Sequence, residues 1–223
     1  TSSAASDVYK RQIFNILREY IKKSKAILFE GNGYSESWQK EAKKRGLSNN
    51  KNTPNALKVK IDPKTIELYK SLNVMNKIEI EARYEIELEE YIHRIQIEGR
   101  VLGDIARNHI IPTAVKYQNI LINNVRGLKD IYGKKFDKYA SEQLILITDI
   151  SKYIEAINSE VTNMTDERKK ANIIEESTKK AQAYCDKVKP LFDKIRYSCD
   201  KLELLIDDEL WPMAKYRELL FTT

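Results

Sequence analysis

The sequence predicts an all-α protein: a series of helices, then a long antiparallel hairpin of coiled-coil type, then a short aromatic C-terminal tail. Three observations carry this. Apolar residues recur at spacings of three and four over most of the length, the period of helices with one buried face. Glycine and proline, the usual interrupters, number only seven and five in 223 residues, and 42% hydrophobic with 32% charged residues is a composition that suits long surface helices. The last third repeats its apolar residues on a heptad.

Residues 1–12, TSSAASDVYKRQ, carry no apolar period and no initiator Met, and they match an in-frame translation of a common sequencing-library adapter. They are expected to be a foreign, disordered, unpacked tail, with the authentic sequence starting near Ile13. Ile13, Ile16, Leu17, Tyr20, Ile21 and Leu28 then fall at helical spacing, predicting one amphipathic helix from Ile13 to Leu28. It leads into a tight turn at Gly31 to Gly33 that lets Tyr34 and Trp38 pack. Ser35 is placed to N-cap a short helix carrying Trp38 and Ala42, and Gly46 to end it. Asn49 to Pro54 reads as loop.

Lys77 to Leu88, KIEIEARYEIEL, alternates almost strictly, which taken literally signals a half-buried strand. Helix is the better reading. Four glutamates disfavour a strand, Glu79 with Arg83 and Glu90 with Arg94 stand at i, i+4, and Ile80, Tyr84, Leu88, Tyr91, Ile92 and Ile95 form one helical stripe. This helix is expected to run to about His109, with Pro112 kinking it or starting the next, which continues to Gly127.

In the last third Ile174, Thr178, Ala181, Cys185, Val188, Phe192, Ile195, Cys199, Leu202 and Ile206 form a seam with spacings of four and three. Ala140, Leu144, Ile147, Ile154 and Val161 fall on a similar register before it. The polar run Asn163 to Asp166 is expected to interrupt the two, with Thr165 as N-cap and Asp166 and Glu167 at the positive end of the next helix. Pro190 falls on the outer face, away from the seam.

No window approaches the roughly 18 apolar residues a membrane span requires, so no membrane partner is expected. The formal charge is +6, or +5 once Lys10, Arg11 and Asp7 of the adapter-like tail are set aside. Basic clusters at Lys22, Lys23 and Lys25, and at Lys40, Lys43, Lys44 and Arg45, are interleaved with acids and lack alternating aromatics, so they read as solvated helix faces rather than a nucleic-acid surface. Cys185 and Cys199, fourteen positions apart, would lie about 21 Å from one another along a helix, too far for a disulfide, and read as small buried groups in a reducing compartment. His93 and His109 stand on different faces and read as ordinary surface or capping residues. Gly31-Asn32-Gly33 lacks the longer glycine pattern and following Lys of a phosphate loop. The glutamates at positions 85, 87, 89 and 90 point around their helix in several directions, which suits solvation. No catalytic, cofactor-binding or metal-binding residue is therefore assigned.

Gly31, Gly33, Tyr34, Ser35, Trp38, Glu41, Ala42, Lys44, Arg45, Gly46, Leu47, Asn49, Thr53, Pro54, Ala56 and Leu57 fit the segment that closes the catalytic domain in type III glutamine synthetases. At the other end Trp211, Pro212, Lys215, Tyr216, Arg217, Glu218, Leu219, Leu220 and Phe221 resemble the finish of that family's chains. Arg83-Tyr84-Glu85, Leu88-Glu89-x-Tyr91 and Ile111-Pro112-x-Ala114-x-x-Tyr117-Gln118 resemble it between the two, so the similarity spans residues 13 to 221. Asn32, Ser48, Met213 and Ala214 depart from the pattern and bear on loop stiffness.

The resemblance implies three parts: the foreign tail 1–12, the helical end of the synthetase catalytic domain at 13–128, and a C-terminal hairpin and tail at 129–223. It implies a parent enzyme, a cytoplasmic ATP-dependent glutamate–ammonia ligase working through a γ-glutamyl phosphate with magnesium or manganese, assembled as a ring-shaped homo-oligomer. None of the motifs for metal, nucleotide or phosphate is matched here, so this piece is expected to be structural, oligomer-forming and inactive alone. The alternatives are a stand-alone helical-bundle interaction protein and a basic helical nucleic-acid-binding module. The tail from Trp211 to Phe221 is expected to dock on the helical body near the Phe29–Pro54 loop.

Overall fold

The computed structural model describes residues 2–25 and 27–221, and helices account for all regular structure among them. The chain divides into two compact units, residues 1–51 and 52–223.

In the first unit, α1 (Ser2–Lys23) is followed by turns and then α2 (Glu36–Lys44). The adapter-like residues are therefore not disordered where they are described: the helix starts at Ser2, and residues 7–12 are exposed on it. Thr1 lies outside the described residues. The helix also stops at Lys23 instead of reaching Leu28. The Leu28 carbonyl accepts a 2.5 Å hydrogen bond from Arg45 Nη1, which takes it out of any helical ladder. Ser35 caps α2 as the sequence indicates, its hydroxyl accepting from the Trp38 N–H at 3.3 Å. At the far end the Leu47 N–H reaches the Ala42 carbonyl at 2.9 Å and the Gly46 N–H the Lys43 carbonyl at 3.1 Å. That double bond pattern requires a left-handed residue, and Gly46 has φ +76°.

The second unit begins with α3 (Thr53–Lys58), a 3₁₀ turn and α4 (Pro63–Ser71). Thr53 and Pro54 thus belong to a helix rather than a loop. Asn52 caps it by accepting from the Asn55 N–H, and Pro54 sits in the first turn, where its missing N–H costs nothing. Then comes α5 (Lys77–Asp104), opened by a capping box in which Asn76 and Glu79 exchange bonds of 2.7 and 3.0 Å. Glu79 therefore serves the cap. The stripe of Ile80, Tyr84, Leu88, Tyr91, Ile92 and Ile95 is buried, whereas Ile78 and Ile86 of the alternation are 78% and 56% exposed, so the helical period holds.

A π-helical stretch, Ile105–Ile110, joins α5 to α6 (Ile111–Tyr132) without a break. The same device recurs at α8 (Ser177–Ala183) and α9 (Lys189–Leu205), joined by a π stretch Tyr184–Val188. In both cases the wide turn lies directly before a proline near the start of the next helix, Pro112 or Pro190. A proline clashes with the carbonyl four residues back, and one extra residue in that turn relieves the clash, so neither proline ends its helix.

Between them runs α7 (Asp137–Asn172), 36 residues or about 54 Å. The predicted interruption at Asn163 to Asp166 does not occur. Met164 is buried in the core and the Thr165 hydroxyl donates back to the Val161 carbonyl at 2.8 Å, so the polar run is the wet side of one continuous helix. The chain turns at Ile173–Glu176 instead. Of the earlier register, Ala140 and Val161 are buried, but Leu144 is exposed and Ile150, Ile157 and Met164 form the contact.

The result is an up-down-up bundle of three helices. Tyr84 Oη meets Thr178 Oγ1 at 3.0 Å and Gly99 faces Phe192, so α8 and α9 run parallel to α5, while Tyr184 against Asn172 and Lys194 near Glu160 set them antiparallel to α7. A Cβ on Gly99 would come within 3.2 Å of the Phe192 ring, and one on Gly103 within 3.4 Å of Met164 and Val161. One core joins Leu88, Ile95, Ile110, Ile150, Ile157, Ile195 and Leu202. Packing therefore crosses the expected 128/129 boundary: α6 passes through it, and the hairpin is two thirds of a bundle whose third helix is α5.

Candidate functional site

The signature segment builds a compact polar and aromatic knot. Asn32 Oδ1 accepts from the Tyr34 N–H at 3.0 Å, and the Ser35 hydroxyl donates to the Asn32 carbonyl at 2.7 Å, closing the turn onto the start of α2. Phe29 then lies over Trp38, ring centroids 4.4 Å apart. Gly31 makes this possible, because a Cβ there would lie 2.6 Å from the Phe29 ring, whereas at Gly33 it would meet nothing. The Arg45 guanidinium sits 5.8 Å from the Trp38 ring centroid and donates from Nε to Glu41 at 2.7 Å. That hydrogen bond holds the Glu41 carboxyl below its ordinary value. Tyr34 does not join the knot: it is 96% exposed, its backbone turned outward by the Asn32 bond.

Two open hollows flank α2. One, of about 290 Å³, is lined by Tyr34, Trp38, Ala42, Leu47 and Asn49, and the other, of about 430 Å³, by Glu36, Lys40, Lys43, Asn49 and Lys51. A third, of about 490 Å³, lies on the bundle, where Glu160, Asp166 and Glu167 alternate with Lys170, Lys187 and Lys194. The second and third carry charges of both signs, as a wet surface does, and the first is lined by uncharged side chains without an acid, a base or a thiol.

The remaining residues considered from sequence are scattered. His93 and His109 are exposed on the long helix. Cys199 is buried, and burial, then Asp200, pushes its thiol up to about 11, away from nucleophilic character. Cys185 is half buried beside Tyr91, whose hydroxyl is buried without a hydrogen-bond partner; burial, then Cys185, raises that phenol well above its ordinary range. Sequence reasoning missed Tyr184, which is fully buried: its hydroxyl donates to Asn172 Oδ1 at 2.6 Å and accepts from Gln96 Nε2 at 3.2 Å. The sequence seam runs through Ala181 and Cys185, whereas Tyr184, three residues after Ala181 and four before Val188, lies on the same helical face and takes the core position. Among the described residues no three His, Cys, Asp or Glu side chains group to hold a metal ion.

Residues 12–129 match the family described as glutamine synthetase C-terminal domain, more than half of the chain. The chain belongs to that family. Over 211 residues, 94% of its length, it is 45% identical to a glutamine synthetase of Bacteroides fragilis (strain YCH46). Over 99% of its length it is 28% identical to a glutamine synthetase of Butyrivibrio fibrisolvens, and over 95% it is 26% identical to the type-3 glutamine synthetase of Dictyostelium discoideum. The chain spans 29%, 31% and 29% of the length of these relatives. The matched region is described as a C-terminal domain, and each of these relatives is more than three times as long as this chain. Among the described residues no helix is long and apolar enough to cross a membrane.

Proposed function

We propose that this chain is the helical C-terminal region of a type III glutamine synthetase, supporting and assembling an enzyme whose chemistry resides in the larger portion. That enzyme would phosphorylate glutamate with ATP and let ammonia displace the phosphate, using divalent magnesium or manganese, in the cytoplasm and as a homo-oligomer. The observation that carries the reading is the 45% identity along 94% of the chain to a protein more than three times as long. Among the described residues no three acids, histidines or cysteines group as a metal site would need, and Gly31-Asn32-Gly33 is closed by its own side-chain bonds, which supports placing metal and nucleotide in the larger portion. The family match at 12–129, described as a C-terminal domain, supports reading the chain as the region that follows the larger portion.

The test is glutamine formation from glutamate, ammonia and ATP by the purified chain. No turnover is expected. Turnover abolished by a substitution within residues 13–221 would contradict the assignment of the chemistry elsewhere.

A further inference from the structure

α1 carries its largest side chains on the outside. Ile13, Phe14, Ile16, Leu17, Tyr20 and Ile21 are 53% to 67% exposed. At 3.6 residues per turn they fall in one arc of about 160°. Asn15, Arg18, Glu19 and Lys22 occupy the other side, and Glu19 is tied to Lys23 there at 2.7 Å. A helix this sharply two-sided keeps its shape by burying the apolar side, and a contiguous exposed patch of this kind marks an interface.

We propose that the apolar face of α1 is the seat of the preceding, larger portion of the synthetase, received through an apolar groove of that portion. This rests on the reading of the chain as a C-terminal region. The choice of occupant follows from length and position. The relatives are more than three times as long, the matched family is a C-terminal domain, and α1 is the element at the junction with everything that domain lacks. A covalently attached partner meets α1 at an effective concentration that a second copy in free solution does not reach. Arg18 borders one side of the stripe and the Glu19–Lys23 pair the other, so the rim of the groove beside Arg18 is acidic.

The experiment is hydrogen exchange at residues 13–21, in the chain alone and in a fusion in which residues 13–221 replace the matching region of the Bacteroides fragilis enzyme. Exchange at least 100-fold slower in the fusion is expected. Equal rates in the two would overturn the proposal. So would protection already present in the chain alone together with a dimeric mass by light scattering, since a second copy would then cover the stripe. Should the fusion fail to assemble, the corresponding segment of the unmodified Bacteroides fragilis enzyme is measured: slow exchange supports the proposal and fast exchange refutes it. Leu17→Asp should lower the melting temperature of the fusion while Asn15→Ala, on the opposite side of the helix, leaves it within error; equal effects would refute the seat. The two readings fail separately. A fusion that forms glutamine with α1 unprotected defeats only the docking, and one protected at α1 but inactive defeats only the functional reading.

Discussion

A Cβ on Gly31 would lie 2.6 Å from the Phe29 ring, so one hydrogen in place of a methyl decides whether Phe29 can cover Trp38. Gly31→Ala should displace Phe29 and expose the indole, read as a red shift in Trp38 emission with Trp211 replaced by Phe; an unchanged spectrum would mean that the ring has room to move. Burial acts as plainly on Cys199. The unfolded thiol titrates near 9 and the folded one near 11, so between those values the folded state holds the extra proton and stability falls as pH rises. Tyr91 and Tyr184, both raised by burial, act in the same direction above the ordinary tyrosine value of 10. The urea midpoint should be insensitive to these three groups below pH 9 and drop from there to pH 11. Cys199→Ala should flatten the first part of that drop, and an unaltered slope would show that the thiol is not what titrates. At this scale the sequence revealed residue types whose geometry is local: the Ser35 cap, the Gly46 stop and the outward Pro190 are all where the pattern puts them. The Phe29–Trp38 pair and the Asn172–Tyr184–Gln96 cluster were hidden, since each depends on a close approach between side chains distant in the chain or across a turn that no spacing encodes.

The elements divide along the same line. The α5 stripe and the α8–α9 seam were legible because each buries one face along a regular period. The break in α7 was misplaced because Asn163 to Asp166 has cap-forming chemistry with nothing to break the helix: no Gly or Pro stands there, and Met164 anchors it from within. Asp166→Pro should therefore cost about 3 kcal/mol or more, as proline does in a helix interior. Ser177→Pro should be nearly neutral, because Ser177 opens α8 and the preceding Glu176 is already extended at φ −70°, ψ 118°. Urea melts followed by circular dichroism distinguish the two, and the reverse order would restore the turn to Asn163–Asp166. Along the seam, Ile195→Ala should cost roughly 2 to 5 kcal/mol against well under 1 for exposed Lys187→Ala. The two π stretches were not foreseeable as such, although the prolines that call for them were.

For the whole molecule, the tail shows where local and global readings part. Leu210 and Trp211 pack on the bundle core, and the Lys215 ammonium pairs with Asp208 and donates to the Glu203 carbonyl at 3.3 Å. Leu219, Leu220 and Phe221 are 59%, 59% and 80% exposed, so the tail's packing on the bundle is carried by Leu210 and Trp211. The side chains of Tyr216 and Arg217 lie outside the described residues. Trp211→Ala should therefore cost about 1 to 2 kcal/mol, half of what a fully buried aromatic contributes, and replacing residues 219–221 by Ser should leave the melting temperature of the chain unchanged. The all-α class was legible because periodicity is a property of each helix alone, whereas the union of α5 with the hairpin in one bundle depends on long-range closure at Gly99 and Gly103. Central to the account is that this chain is the supporting C-terminal region of a glutamine synthetase. The most direct measurement is glutamine formation by the Bacteroides fragilis enzyme lacking its matching region, before and after residues 13–221 of this chain are fused in its place. The account expects activity and full assembly size to be lost on deletion and regained on fusion; a deleted enzyme that retains both would contradict it.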